Sequence, residues 1–273
     1  MRFINRKCFD MKKYIFPSAT VLFSIMILMA SCGKEVDKPV APQFIFKHNV
    51  NGFELQKGVM NYTNQSGNPY QVDELQYFIS EITLNTTAGN SIPVTTDNAI
   101  HYVDINIPST LEWNPKTRLP VTDYSSITFV FGINEAKNKT GLFVNPPERD
   151  MFWPDMMGGG FHLMKMNGEW KAEGDTIKPF NFHIGIGMNE TGTVFYQNYF
   201  TVTLPLNIHT GTLSNVFTIT MNIEKWFEAP NVWNWNVTGG QIMQNQDAMH
   251  KACENGANAF QVTHEGKDIV YHD

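Results

Sequence analysis

The stretch PFNFHIGIG, residues 179–187, alternates cleanly after its first residue. Phe180, Phe182 and Ile184 fall on one side of an extended chain, and Asn181, His183 and Gly185 fall on the other. Period-two alternation of this kind predicts a half-buried β-strand. The same reading extends outward in both directions. QFIFKHNV (43–50), YQVDELQYFISEITLNT (70–86, one or two strands), AIHYVDIN (99–106) and SSITFVFGIN (125–134) precede or approach it. GFHLMKMNG (160–168), NYFTVTLPL (198–206) and NVFTITMNIE (215–224) complete the set. Gly, Pro, Asn and Asp punctuate the gaps. So many short strands predict an all-β fold, an antiparallel β-sandwich of jelly-roll type with long loops. One C-terminal helix is expected in GGQIMQNQDAMHKACENG (239–256), where Ile242, Met249 and Cys253 fall near one stripe and Gly256 is placed to stop it. After it, Phe260 in AFQVTHEG is expected to pack back on the domain.

The ends of the chain carry different information. MKKYIFPSATVLFSIMILMASC has a basic start at Lys12 and Lys13, an apolar run and small residues before Cys32. It reads as a secretory signal peptide over 1–31, too short and wrongly flanked for a membrane span. MASC resembles the lipobox of bacterial lipoproteins, which implies cleavage before Cys32 and lipidation of its thiol. Residues 32–42, polar and Pro-containing, read as a lipid-anchored linker, and 43–273 as one domain. The expected location is the outer membrane, facing the periplasm or the cell surface.

Composition closes off several function classes. The 273 residues carry a formal net charge of −6, with no basic footprint for nucleic acid. Of three cysteines, Cys8 leaves with the leader and Cys32 takes lipid, so Cys253 has no intrachain partner. Paired-thiolate zinc sites are excluded with it. GGG at 158–160 lacks the Lys and Ser/Thr of a phosphate loop and reads as a tight turn into a strand.

Histidines carry the chemistry that is left. Alternation puts His48 with Phe44, Phe46 and Val50, His162 with Met164 and Met166, and His183 with Asn181 and Gly185. Neutral imidazoles from neighbouring strands suit copper or zinc, and a thioether from Met164 or Met166 favours Cu(I). The plainer alternative for each ring is a hydrogen-bonded core residue.

Several stretches together resemble a known family. FGIN, NPPERDMFWPDMMGGGFHLMKMNGEW and PFNFHIGIG are similar to the MbnP-like copper-binding family, with an NG turn expected inside the second. MNIEKWFEAP and IMQNQDAMHKACENGANAFQV resemble its lipoprotein members of the Bacteroidetes type. The resemblance spans about residues 43 to 263. It implies an extracytoplasmic β-sandwich that holds one copper ion through two histidines. It also implies a kynurenine ligand made from Trp by a dihaem peroxidase-type partner. By motif, His183 matches the second ligand and His48 the first. Two residues before His48 stands Phe46, where those relatives have Trp. Phenylalanine cannot become kynurenine, so the third position falls to water, His162 or a Met. The reading is a lipid-anchored protein that acquires, buffers or delivers copper and catalyses nothing. The competing reading is a surface interaction module that binds a protein, peptide or glycan. It would use the long loops at 107–124 and 135–159, with Trp113, Phe152 and Trp153 as contacts.

Overall fold

The computed structural model describes residues 38–94 and 98–268. The expected signal peptide, the lipidation site Cys32 and most of the linker lie outside the described residues. In chain order the strands are β1 (Pro42–Val50), β2 (Phe53–Glu54), β3 (Tyr62–Thr63), β4 (Pro69–Thr86), β5 (Ser91–Pro93) and β6 (Ile100–Asp104). There follow β7 (Glu112–Trp113), β8 (Asp123–Phe131), β9 (Met164–Lys171), β10 (Ile177–Ile184), β11 (Gly187–Met188) and β12 (Phe195–Tyr196). The last are β13 (Phe200–His209), β14 (Ser214–Asn222), the short helix α1 (Trp235–Thr238), helix α2 (Gln246–Gly256) and β15 (Phe260–Lys267).

One sheet runs β15-β14-β1-β2, with β7 paired to β1. The larger sheet runs β10-β9-β4-β8-β13. Strand β4 organises it: one edge pairs with β9 over Tyr70–Tyr77 and with β8 over Ile79–Thr86. The other edge of β4 takes β3, β6 and β5. Eighteen residues is long for a strand, and bulges at Val72/Glu74 and Ser80/Thr83 let it bend. The two sheets bury an aromatic core between them: Phe260 of β15 meets Phe129 and Phe131 of β8 with ring centroids 5.4 and 5.5 Å apart. Each such fully buried ring contributes about 1.5–3 kcal/mol relative to exposure.

The all-β sandwich expected from alternation is the observed architecture, with three differences in detail. Strands β1 and β14 pair in parallel, so the sandwich is not wholly antiparallel. Residues 167 and 168 do not form a turn; they lie inside β9, and Gly168 leaves the space that the ring of Phe180 fills. Finally, the C-terminal tail is a full strand along β14, and α2 begins at Gln246, after Ile242. Phe260 does pack back on the domain, and Met249 and Cys253 are buried as the stripe predicted. Among the described residues no helix is long and apolar enough to cross a membrane.

Candidate metal site

The strand that carries His183 behaves as its alternation dictates. Phe180, Phe182 and Ile184 are buried in the core, and His183 lies on the opposite, outer face of the larger sheet. Directly across the ladder from His183 is Lys165 of β9, and Lys165 in turn pairs with Gln76 of β4. Met164 and Met166, one residue to either side of Lys165, pair with Ile184 and Phe182 and are fully buried. Their thioethers face the core, away from His183. The expected soft ligand from Met164 or Met166 is therefore not available on that face.

His162 does not share a face with those methionines, as strict alternation predicted. The ladder of β9 starts only at Met164, and His162 lies just before it, where Phe161 bridges Phe152. Freed from the pleat, the His162 ring reaches His183: their centroids are 5.3 Å apart with planes at 85°. The loop at 135–159 closes over this point. Trp153, fully buried, meets His162 edge-on at 4.6 Å and donates its indole N–H to the Met157 carbonyl at 3.0 Å. Gly158, Gly159 and Gly160 all have positive φ, the left-handed turn that returns this loop to the sheet.

Hydrogen bonds fix which nitrogen of each ring is left over. His162 Nδ1 contacts the Met151 carbonyl at 2.9 Å; a carbonyl only accepts, so Nδ1 carries the hydrogen. His183 Nε2 contacts Asn167 Oδ1 at 2.7 Å, and Asn167 Nδ2 donates to Glu74 at 2.8 Å. The carboxylate thereby orients the amide, whose oxygen must receive the Nε2 hydrogen of His183. The Met151 and Asn167 bonds do not engage the lone pairs of His162 Nε2 and His183 Nδ1, and His162 takes a further backbone hydrogen bond at Phe152. Burial pushes His162 down to about 3, helped by the nearby Lys165 charge and opposed by the Met151 hydrogen bond. Burial, then Lys165, pushes His183 down to about 4. Both rings are neutral at physiological pH, the form in which imidazole binds metal.

His48 is elsewhere. It lies on the inner face of β1, and its Nε2 is 3.0 Å from the hydroxyl of Tyr77, which is also buried. Tyr77 pairs across the ladder with Met164, so it is on the core side of the larger sheet, opposite the side of His183. The expected pairing of His48 with His183 is corrected on this ground: the sheet itself separates them, and each has its own hydrogen-bond partner. His48 is the hydrogen-bonded core residue of the plainer alternative. Among the described residues, no group of three or more His, Cys, Asp and Glu side chains is placed to hold a metal. What the fold brings together is a pair, His162 and His183.

The loop aromatics are also redistributed. Trp113 and Trp153 are buried, and Phe152 is the exposed member of the three. Phe46 stacks on His101 at 5.0 Å, and His101 stacks on Trp113 at 5.3 Å. His101, which sequence reading passed over, is thus enclosed in an aromatic column, with Nε2 at 2.8 Å from the Thr110 carbonyl.

The sequence model of the MbnP family matches residues 39–249 of this chain. The chain belongs to the MbnP family. Among solved structures, MbnP from Methylosinus trichosporium is similar at 14% identity, with 71% of this chain and 80% of that chain covered and a TM-score of 0.47. No curated protein matches. The MbnP-family match takes in His48, His162 and His183 together with the loop that closes over the pair.

Lys165, Asn167 and Glu74 are the neighbours of the pair that were not singled out from sequence; Trp153 was expected as a surface contact and instead walls His162. For two of them a signal existed. In MKMN, alternation that sends Met164 and Met166 inward sends Lys165 and Asn167 to the face of His183.

Proposed function

We propose that this MbnP-family chain binds one copper ion through His162 and His183. It acquires, buffers or delivers the metal and catalyses no reaction. The observation that carries this reading is the donor set. Two neutral imidazoles stand with centroids 5.3 Å apart, and each has its other nitrogen held by a fixed acceptor. Metal–nitrogen bonds of about 2 Å put two bound nitrogens within about 4 Å of each other, and rings at this spacing are compatible with that. Second-nitrogen hydrogen bonds of this kind orient metal-binding histidines and raise their basicity. The low coordination number and the neutral donors favour Cu(I) among the metals that imidazole takes.

The wider setting is part of the same proposal. The leader and the lipobox-like MASC support a lipid anchor at Cys32 and a site in the outer membrane, on the periplasmic or surface face. The family resemblance supports a dihaem peroxidase-type partner. Phe46, stacked on His101, offers such a partner no tryptophan at that position.

Titration of the purified full-length protein with Cu(I) against a competing chelator tests the reading. One equivalent is expected to bind, and His162→Ala and His183→Ala are each expected to abolish tight uptake while His48→Gln keeps it. Uptake that survives in both alanine variants sinks it.

A further inference from the structure

Given the copper site proposed above, we propose that Lys165 sets its oxidation-state preference, with its ammonium holding the His162–His183 pair to monovalent copper. Lys165 is the direct cross-strand partner of His183 and shares its outer face. Its position is fixed as well: Nζ donates to the Asp150 carbonyl at 2.6 Å, which ties the ammonium to the loop that covers His162. The carboxylates that face Lys165 are Asp150 and Glu74. The Glu74 carboxylate accepts from Asn167, and that of Asp150 accepts from Arg149.

The charge is set beside the pair by geometry: Lys165 shares the face of His183, and the loop that covers His162 holds its ammonium. Repulsion grows in proportion to the charge brought in. A fixed +1 beside two neutral donors therefore penalises Cu(II) or Zn(II) about twice as much as Cu(I). Nothing in the donor set supplies a compensating negative ligand. The lysine thus acts as a specificity-determining residue that does not itself touch the metal.

The test compares Cu(I) and Cu(II) affinities of the full-length wild type with those of Lys165→Met and Lys165→Arg, and follows bound Cu(II) by electron paramagnetic resonance. Lys165→Met keeps the aliphatic stem and removes the charge. It is expected to raise the Cu(II)-to-Cu(I) affinity ratio about tenfold, or about 1.4 kcal/mol, which lies between the bulk-water and protein-surface values for unit charges about 4 Å apart. Lys165→Arg, which keeps the charge, is expected to leave the ratio at the wild-type value. Lys165→Gln carries the same expectation as Met and stands in for it if Met does not fold. A ratio unchanged in the neutral variant, with copper still bound, overturns the role of Lys165 and leaves the copper site standing. Wild-type protein that takes up no copper overturns both.

Discussion

The indole of Trp153 fills the space that a side chain at Gly185 would need: a Cβ on Gly185 would clash with the indole Cε3. Gly185 lies two residues after His183, just past the end of β10 at Ile184. The FHIG pattern therefore has a mechanical reading: Phe182 and Ile184 go to the core, His183 goes to the site, and Gly185 is bare so that Trp153 can lie against the backbone. Trp153 in turn walls His162.

Gly185→Ala is expected to destabilise the fold by about 1–3 kcal/mol, the usual effect of overpacking. The ring of Trp153 is rigid and has no room to retreat, so the displacement passes to His162. Copper affinity should fall with stability in this variant. A urea melt and a chelator competition read the two effects; an alanine variant with native stability and native affinity contradicts the packing account.

His48 and Tyr77 make the opposite prediction. Their 3.0 Å hydrogen bond lies in the core between the sheets. Tyr77→Phe leaves a buried imidazole nitrogen without its partner, which costs about 1–3 kcal/mol. Copper stoichiometry should not change, because the sheet separates this pair from His183. Loss of copper in Tyr77→Phe with the fold intact would return His48 to the site.

Acid should weaken the fold through the same histidines. Burial pushes His48 and His162 down to about 3, and His101 and His183 down to about 4, from an ordinary value of 6.5. Each is depressed in the native state, so the unfolded chain takes up its proton first as pH falls. Their stabilising contribution is whole above pH 6.5 and is lost as pH drops from there through the folded values. For His48, 6% exposed, the loss is about 1.4 kcal/mol per pH unit once well below 6.5. Denaturant midpoints at pH 7, 6 and 5 should fall in order, and His48→Gln should flatten the slope.

The sequence made the strands legible because their alternation is a property of the pleat. The facing of His48 and His183 followed correctly from their own strands. The error over the pair came from a step alternation does not contain: which face of one sheet looks at which face of the other. His48 points inward from β1, and His183 points outward from β10, so correct local facings summed to a wrong pairing. His162 failed for another reason. It precedes the first ladder pair of β9, where the pleat no longer dictates direction and the loop at 135–159 does. Trp153 is held in its buried place by the Met157 carbonyl, the ring of His162 and the bare backbone at Gly185, contacts that strand alternation does not record.

The most discriminating variants act on the Glu74–Asn167–His183 relay. Asn167 Nδ2 donates to Glu74, and its Oδ1 accepts from His183 Nε2. Asn167→Leu removes the acceptor, and His183 is then free to put its hydrogen on Nδ1, the nitrogen needed for metal. Copper affinity should drop about 10–100-fold, the range for loss of a hydrogen bond behind a metal-binding histidine. Glu74→Gln keeps an amide oxygen for Asn167 to donate to, so affinity should stay near wild type. Glu74→Ala removes it, lets the Asn167 amide turn its nitrogen toward His183, and should fall between the other two. Nuclear magnetic resonance of the imidazole nitrogens reads the tautomer directly. An Asn167→Leu protein that keeps the Nε2 hydrogen and full affinity would show that the relay does not orient His183.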